Sequence, residues 1–195
     1  MLFSFPQDHK FNLEIYNHPR LLPPKIVNKI LSLSKEFEFQ DAVLGKDSHK
    51  DELQRVSNVK WLDIGDNTKL LYDLIFKIIK EANDNLFAFD LLGVSDPFQY
   101  TEYYGNNKGK YDWHVDLMDH NTYKRKLSMT IQLSSPDEYE GGVLQTTIGG
   151  SNLVNVPKHK GLITIFPSYI LHRVTPVTKG TRKSLVAWFG GKPFR

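Results

Sequence analysis

Short segments in which apolar and polar residues alternate dominate this chain after about Leu86. They read FAFDLL, FQYTEYY, KLSMTIQLS, GVLQTTI, LITIF, ILHRV and KSLVAWF. Turn-forming residues separate them, for example at Ser95-Asp96-Pro97, Gly141-Gly142 and Pro157-Lys158. Because side chains alternate between the two faces of a strand, each segment suits a strand with one buried face. Several such strands without intervening helices predict a β-sandwich or barrel.

Two earlier segments, Pro23–Phe39 and Asp66–Asn83, have the periodicity of amphipathic helices. Each carries one apolar stripe: Ile26, Val27, Ile30, Leu31, Ser34 and Phe37 in the first, and Leu71, Leu74, Ile75, Ile78, Ile79 and Ala82 in the second. Asp66 is a plausible N-cap for the second helix. The polar stretch between the helices, Gln40–Lys60, is predicted to be a mobile loop.

This order of patterns predicts helices first and a β core afterwards. A length of 195 residues suits a single domain spanning residues 1–195. Within it we expect residues 1–85 to form an N-terminal helical support region and residues 86–195 to form the core. The expected fold class is therefore mainly β with N-terminal helices (α+β).

The composition excludes several classes of function. The chain has no cysteine, which excludes disulfides, thiolate metal sites and cysteine nucleophiles. Its net charge of +3 is slight and its lysines are scattered, whereas nucleic-acid binders concentrate basic charge. The first residues lack the pattern of a secretory signal, and no window approaches roughly eighteen apolar residues. We therefore expect a cytoplasmic protein that neither enters a membrane nor binds nucleic acid.

The stretch YDWHVDLMDH, residues 111–120, is dense in residues that can bind a metal ion. His114 and Asp116 are two residues apart, so in a strand their side chains would point to the same face. Together they could supply half of a metal site. A hairpin end with a solvated aspartate and histidine is the alternative that this stretch alone leaves open.

A second histidine and an arginine follow in LHRVTPVTKGTRKSLVAWF. His172 lies in an apolar run, where a histidine is either a packed core residue or a ligand. Strand alternation places Arg182, Ser184, Val186 and Trp188 on one face. A buried arginine is costly unless an anion meets it. Two histidines and one carboxylate form the facial triad of non-haem Fe(II) oxygenases, and an arginine nearby suits an organic acid.

The order His-x-Asp, a distant His, and Arg ten residues later resembles the Fe(II)/2-oxoglutarate-dependent dioxygenases. The segments DEYEGGVL, LITIFP and LHRVTPVTKGTR resemble more narrowly the prolyl 4-hydroxylase-like group, including its bacterial PKHD-type hydroxylases. The resemblance covers about Phe98–Phe189. It implies a double-stranded β-helix (jelly roll) core in which His114, Asp116 and His172 bind Fe(II).

The resemblance also implies a co-substrate site. 2-Oxoglutarate would chelate the iron through its C1 carboxylate and keto oxygen, and Arg182 would pair with its C5 carboxylate. Tyr104, ten residues before His114, matches a tyrosine that hydrogen-bonds the co-substrate in related enzymes, with a structural aromatic as the alternative. O2 would be the second co-substrate, and we expect ascorbate to serve as reductant.

Several further residues are candidates for lining the site. Trp188 matches a tryptophan of the family and should border the site, and Thr130 and Gln132 lie on the polar face of KLSMTIQLS. Arg55 and Trp61, which flank the polar loop, could hold substrate, although a surface loop is the default there.

The resemblance implies hydroxylation of proline in a protein or peptide. Free proline or another small molecule is an alternative substrate, and a metal- or ligand-binding jelly roll without activity is the non-enzyme alternative. The branch that demethylates nucleic acids carries a second arginine six residues after the first, where this chain has Trp188. A nucleic-acid substrate is therefore disfavoured. The sequence leaves the oligomeric state open.

Overall fold

Two helices and fourteen strands make up the regular structure of the computed structural model, which describes residues 15–41, 53–117, 124–148 and 152–193. Helix α1 spans Pro24–Leu33 and helix α2 spans Lys69–Ala82. The strands are β1 Tyr16–Asn17, β2 Gln40–Asp41, β3 Arg55–Val56, β4 Asn58–Leu62, β5 Leu91–Val94, β6 Phe98–Tyr104, β7 Lys110–His114, β8 Arg125–Gln132, β9 Tyr139–Gly141, β10 Leu144–Ile148, β11 Asn152–Asn155, β12 Ile163–Pro167, β13 Leu171–Val174 and β14 Val177–Gly191.

The strands form two antiparallel sheets. The larger has the order β1-β12-β8-β14-β6-β4-β2, with β5 and β9 also paired to β14. The smaller has the order β11-β10-β13-β7-β3. Strands that are distant in sequence alternate between the two sheets, which is the arrangement of a jelly roll. The predicted fold class is confirmed.

Strand β14 connects most parts of the larger sheet. Its first residues pair with β9, its middle pairs with β6 on one side and β8 on the other, and its end pairs with β5. Gly180 has a φ of 70°, and a Cβ there would lie 2.0 Å from the carbonyl oxygen of Glu138. Only glycine fits this close approach of β14 to the backbone of Glu138.

The two helices cover the outer face of the larger sheet. Val27, Ile30 and Leu33 are the buried residues on the apolar stripe of α1, and Leu71, Tyr72, Ile75, Ile79 and Ala82 are those on α2. Both helices were expected, but their ends differ from the prediction: α1 ends at Leu33 and continues as a 3-10 turn. In the described ranges, no helix is long and apolar enough to cross a lipid bilayer.

The prediction that Asp66 caps α2 was wrong. The helix begins at Lys69, and Thr68 precedes its first residue. The Thr68 hydroxyl donates to the carbonyl of Asp63 at 2.6 Å and accepts from the backbone N–H of Gly65 at 2.9 Å. Thr68 thus closes the turn before α2.

Four short strands before Leu86, β1 to β4, were not expected from the sequence. They extend the two sheets, so the first part of the chain is not purely helical. The predicted loop Gln40–Lys60 includes β2, β3 and the start of β4, and its residues 42–52 lie outside the described residues. Such edge strands are stabilised by their sheet neighbours more than by their own sequence.

Tyr72 joins α2 to the larger sheet. Its ring stacks on Phe98 with centroids 3.8 Å apart and an interplanar angle of 9°. Its hydroxyl donates to the carbonyl of Leu62 at 2.7 Å and accepts from the backbone N–H of Phe98 at 3.1 Å. One buried hydroxyl therefore satisfies backbone groups of both β4 and β6.

The substitution Tyr72→Phe should lower the free energy of unfolding by about 1–3 kcal/mol, because two buried backbone groups lose their partner. Urea denaturation followed by circular dichroism measures the change. The control is Leu70→Ala on the same helix, where the side chain is 81% exposed. Equal stabilities of the wild type and Tyr72→Phe would show that this hydroxyl contributes nothing to the fold.

Candidate active site

Two histidines face each other from neighbouring strands of the smaller sheet. His114 is the last residue of β7, and His172 lies directly opposite it on β13 in the antiparallel register. Their ring centroids are 4.1 Å apart, and only 9% and 6% of the two residues is exposed. Residues directly opposite in such a pair place their side chains on the same face. The alternative that His172 is only a packed core residue is thereby disfavoured.

Asp116 completes the group from just beyond the end of β7. The strand stops at His114, so alternation along a strand does not place this carboxylate. Instead the backbone N–H of Asp116 donates to the carbonyl of Ser168 at 2.9 Å. Its carboxylate oxygens then lie 3.9 Å from Nε2 of His114 and 3.6 Å from Nε2 of His172.

The imidazole rings are oriented by backbone carbonyls. Nδ1 of His114 lies 2.7 Å from the carbonyl of Asp112, and Nδ1 of His172 lies 2.8 Å from the carbonyl of Ile170. A carbonyl only accepts, so both Nδ1 atoms carry the proton and donate it. Each Nε2 is left with a free lone pair directed at the other members of the group.

Burial and charge set the protonation states of the group. Burial, assisted by the charge of His172, lowers the pKa of His114 to about 3. Burial alone would raise the pKa of Asp116, but the two histidines and the Ser128 hydroxyl hold that pKa below its ordinary value. At neutral pH His114 is therefore neutral and Asp116 ionised, which are the forms that bind metal ions.

Two serines support the carboxylate from behind. The Ser128 hydroxyl donates to Oδ2 of Asp116 at 2.6 Å and lies 3.0 Å from the hydroxyl of Ser168. Both serines are fully buried. Since Ser168 also accepts the backbone N–H of Asp116, the aspartate is held by its main chain and its side chain together. Such outer contacts fix the direction of a ligand.

The three side chains fit a divalent transition metal. Their ligand atoms all lie within 4.8 Å of one another. Metal–ligand bonds of about 2.1 Å place adjacent ligands of one ion about 3 Å apart, so side-chain movements of roughly 1 Å would close the group on an ion. Two neutral imidazoles and one carboxylate, with other positions open, are the donor set of non-haem Fe(II) sites.

A cleft of about 470 Å³ opens beside the three side chains and continues between the two sheets. The face of β14 that the alternation predicted, Arg182, Ser184, Val186 and Trp188, lines this cleft. That prediction is confirmed. Apolar side chains from both sheets form most of the remaining wall, including Met129, Leu144, Phe166 and Val174.

Arg182 brings a buried positive charge into the same cleft. Only 3% of it is exposed, and its Nη1 donates to the Ser184 hydroxyl at 3.2 Å. In the described part of the chain no carboxylate pairs with Arg182. Burying a guanidinium without a counter-charge is costly, so this end of the cleft is suited to an anion.

Thr130 and Gln132 lie near Arg182, as the polar face of their strand predicted. Both line the cavity around its guanidinium, and Thr130 also lines the metal-proximal cleft. The amide of Gln132 donates to the Tyr139 hydroxyl at 2.9 Å. Tyr139 lies within the DEYEGGVL segment but was not predicted as a site residue, and it reaches the site because β9 pairs with the start of β14.

The structure does not bring Tyr104 to the cleft. Its hydroxyl donates to the carboxylate of Glu102. Both side chains lie on the face of β6 that points away from the cleft. Tyr103 lines the cleft instead, directly opposite Arg182 in the register of β6 and β14, with the guanidinium 5.4 Å from the ring centroid. The prediction was displaced by one residue, which in a strand means the other face.

Arg55 lines the cleft and Trp61 does not. The Arg55 guanidinium lies 4.6 Å from the ring centroid of Tyr111, and that ring stacks on His114 with centroids 3.5 Å apart. Arg55 also donates to Gln99 at 2.8 Å. Trp61 packs against Trp188 at 6.1 Å. Tyr111 was not singled out in the sequence, although it lies three residues before His114.

Trp188 presents a buried donor. Arg125 lies 4.1 Å from its ring centroid and covers one face of it. The indole Nε1–H has no hydrogen-bond acceptor among the described residues, although the residue is only 6% exposed and lines the cleft. Buried indole N–H groups normally find a partner. A molecule in the cleft could supply one.

Removing the Ser128 hydroxyl tests its support of the metal ligand. We expect Ser128→Ala to weaken divalent-metal affinity by roughly 10- to 100-fold, because Asp116 loses the contact that directs its oxygen. Competition with a chromophoric chelator measures the affinity. The matched control is Ser134→Ala, a buried serine on the same side of the fold that bonds Thr181 and Lys183 instead. Equal losses in both variants would contradict a specific role for Ser128.

Comparison with known proteins places this geometry in a family. Residues 98–190 match the model of the 2OG-Fe(II) oxygenase superfamily. A PKHD-type hydroxylase from Gloeothece citriformis (strain PCC 7424) is 30% identical over 89% of this chain and 77% of its own length. One from Synechococcus sp. (strain CC9605) is 41% identical over 40% of this chain. This chain spans only 35% of the length of that second relative.

Solved structures agree on the fold. A prolyl-4-hydroxylase from Pseudomonas putida superposes with a TM-score of 0.73 at 19% identity, covering 95% of this chain and 94% of its own. A prolyl hydroxylase from Trichoplax adhaerens, solved with a peptide fragment, superposes with a TM-score of 0.77 at 16% identity, covering 91% of this chain and 84% of its own. The chain belongs to the 2OG-Fe(II) oxygenase superfamily, in its PKHD-type group.

Proposed function

We propose that this chain is an Fe(II)- and 2-oxoglutarate-dependent dioxygenase that hydroxylates its substrate. The observation that carries the proposal is that the three metal-binding side chains line one cleft with the buried Arg182, which pairs with no carboxylate among the described residues. A metal site alone would suit many functions. A metal site that shares a largely apolar cleft with a buried cation suits a bidentate organic acid with a second, distal carboxylate.

His114, Asp116 and His172 would hold the iron, and the iron would supply the activation of dioxygen and of the co-substrate. Arg182 would neutralise the C5 carboxylate of 2-oxoglutarate, with Ser184 fixing the direction of the guanidinium. Thr130 and Gln132 add polar side chains at that end. Tyr103 takes the place in this proposal that the sequence assigned to Tyr104. The indole N–H of Trp188 is a further donor into the cleft.

The walls of the cleft protect this chemistry from water. Leu144 and Val174 from the smaller sheet face Met129 and Val186 from the larger sheet. Excluding water strengthens the ionic contacts inside the cleft and suppresses side reactions of an oxidising centre. Excluding water requires only these apolar walls and no additional acidic or basic side chain.

A prolyl residue in a protein or peptide is the substrate that we propose. The support is a likeness in fold: the Trichoplax adhaerens neighbour was solved with a peptide fragment of hypoxia-inducible factor. Free proline or another small molecule is the second candidate, since a largely apolar cleft with a few polar groups also suits a small ligand. Arg55 faces this cleft and is the proposed contact for a carbonyl or carboxylate of the substrate. Ascorbate is the reductant that we propose for sustained turnover.

Turnover tests the proposal directly. Purified protein with Fe(II), ascorbate and O2 should release succinate from 2-oxoglutarate, and candidate protein substrates should gain the mass of one oxygen. His172→Ala should abolish both metal binding and succinate release, because one of three ligands is gone. A matched control is His159→Ala, an exposed histidine away from the metal site. Metal binding that survives His172→Ala unchanged would refute the assignment.

Arg182→Ala separates the co-substrate site from the metal site. We expect metal affinity to be retained, while the binding free energy of 2-oxoglutarate weakens by about 2–5 kcal/mol, as for other buried charge pairs truncated on one side. Isothermal titration with the metal-loaded protein gives both values. An unchanged affinity for 2-oxoglutarate would show that another group holds the C5 carboxylate.

A further inference from the structure

Arg182 is not the only cation at its end of the cleft. A second cavity of about 270 Å³, here called the distal cavity, lies on the far side of Arg182 from the metal ligands. Thr130, Leu144 and Arg182 line both the distal cavity and the metal-proximal cleft. Lys158 lines the distal cavity from the loop that precedes β12. The position expected for the C5 carboxylate therefore borders Lys158.

Lys158 is held in place rather than extended into solvent. Its Nζ donates to the carbonyl of Gly141 and lies 4.5 Å from the ring centroid of Tyr139. Gly142, next along the chain, has a φ of 55°, and a Cβ there would lie 3.1 Å from Cδ of Arg182. The Gly141-Gly142 turn thus lets both cationic side chains approach the same aromatic ring.

In the described part of the chain, neither Lys158 nor Arg182 pairs with a carboxylate. Both side chains line the distal cavity, so the two cations lie close to each other. Burial and the nearby charge of Arg182 lower the pKa of Lys158. Two like charges in one partly buried cavity repel each other unless an anion joins them. Tyr139 and Gln132 add polar groups but no negative charge.

We propose that Lys158 is a second cationic contact for the C5 carboxylate of 2-oxoglutarate, in the cavity that it lines together with Arg182 and Tyr139. This inference rests on the proposed function. A carboxylate has two oxygens and can accept several hydrogen bonds, so a guanidinium and an ammonium can share it. Lys158 then acts as a selectivity residue: it favours a five-carbon dicarboxylate over 2-oxo acids that lack the distal charge.

Equilibrium binding to Zn(II)-loaded protein under anaerobic conditions tests this without turnover. The two ligands are 2-oxoglutarate and 2-oxopentanoate, which has the same chain length but a methyl group in place of the distal carboxylate. Lys158→Met keeps much of the side-chain length without the charge, and Lys158→Arg keeps the charge. The matched control is Lys160→Met, the same change two residues away at a lysine that lines neither cavity.

Lys158→Met should weaken 2-oxoglutarate binding by about tenfold or more, the range of a hydrogen bond to a charged group. Binding of 2-oxopentanoate should be unchanged, and Lys158→Arg should retain most of the affinity for 2-oxoglutarate. Lys160→Met should match the wild type with both ligands. Equal weakening of both ligands by Lys158→Met, or no weakening of either, would overturn the role of Lys158. Failure of the wild type to bind 2-oxoglutarate would instead overturn the proposed function.

Discussion

The antiparallel register that sets His172 opposite His114 is the constraint on which the rest of the site depends. His114 lies on β7, and His172 lies on β13, 58 positions later in the chain. A shift of one residue in either strand would turn one imidazole to the other face of the sheet and remove the metal site. The hydrogen bonds from each Nδ1 to a carbonyl then fix how the rings turn within that register. A hydrogen bond from the backbone N–H of Asp116 to the carbonyl of Ser168 positions the carboxylate beside the two histidines. Main-chain geometry therefore places all three ligands.

Charge and burial organise the remainder of the cleft. Its metal end carries the ionised Asp116, its other end carries the buried Arg182, and the partly buried Lys158 lines the adjoining distal cavity. Because the wall between these ends is mainly apolar, each charge acts in a medium where ionic contacts are strong but unpaired ions are costly. A bound metal ion would balance the charge of Asp116, and the distal carboxylate of a bound dicarboxylic acid would balance the charge of Arg182. The indole N–H of Trp188, which has no acceptor among the described residues, fits the same conclusion.

The sequence predicted those features that depend on local periodicity. Alternation along β14 correctly placed Arg182 and Trp188 on one face, and the helical stripes correctly located α1 and α2. The prediction from sequence was wrong where a shift of one residue along a strand decides which side chain faces the cleft. The 3-10 turn Gly105–Asn107 and the left-handed Lys108, with a φ of 53°, follow β6, so counting back from His114 gave Tyr104 instead of Tyr103.

Other features could not be placed by periodicity. Tyr111 and Tyr139 lie within the YDWHVDLMDH and DEYEGGVL segments, but their entry into the site, like that of Lys158, depends on strand pairing and loop packing between distant parts of the chain. The short strands β1 to β4 depend on their sheet neighbours in the same way.

The central claim is that one molecule of 2-oxoglutarate joins the metal end of the cleft to Arg182. The most direct measurement is an anaerobic crystal structure of the protein with Mn(II) and 2-oxoglutarate. We expect the metal on His114, Asp116 and His172, with one end of the acid at the metal and its C5 carboxylate within hydrogen-bond distance of Arg182. A well-ordered metal with the acid absent from the cleft, or bound with its C5 carboxylate directed away from Arg182, would contradict this claim.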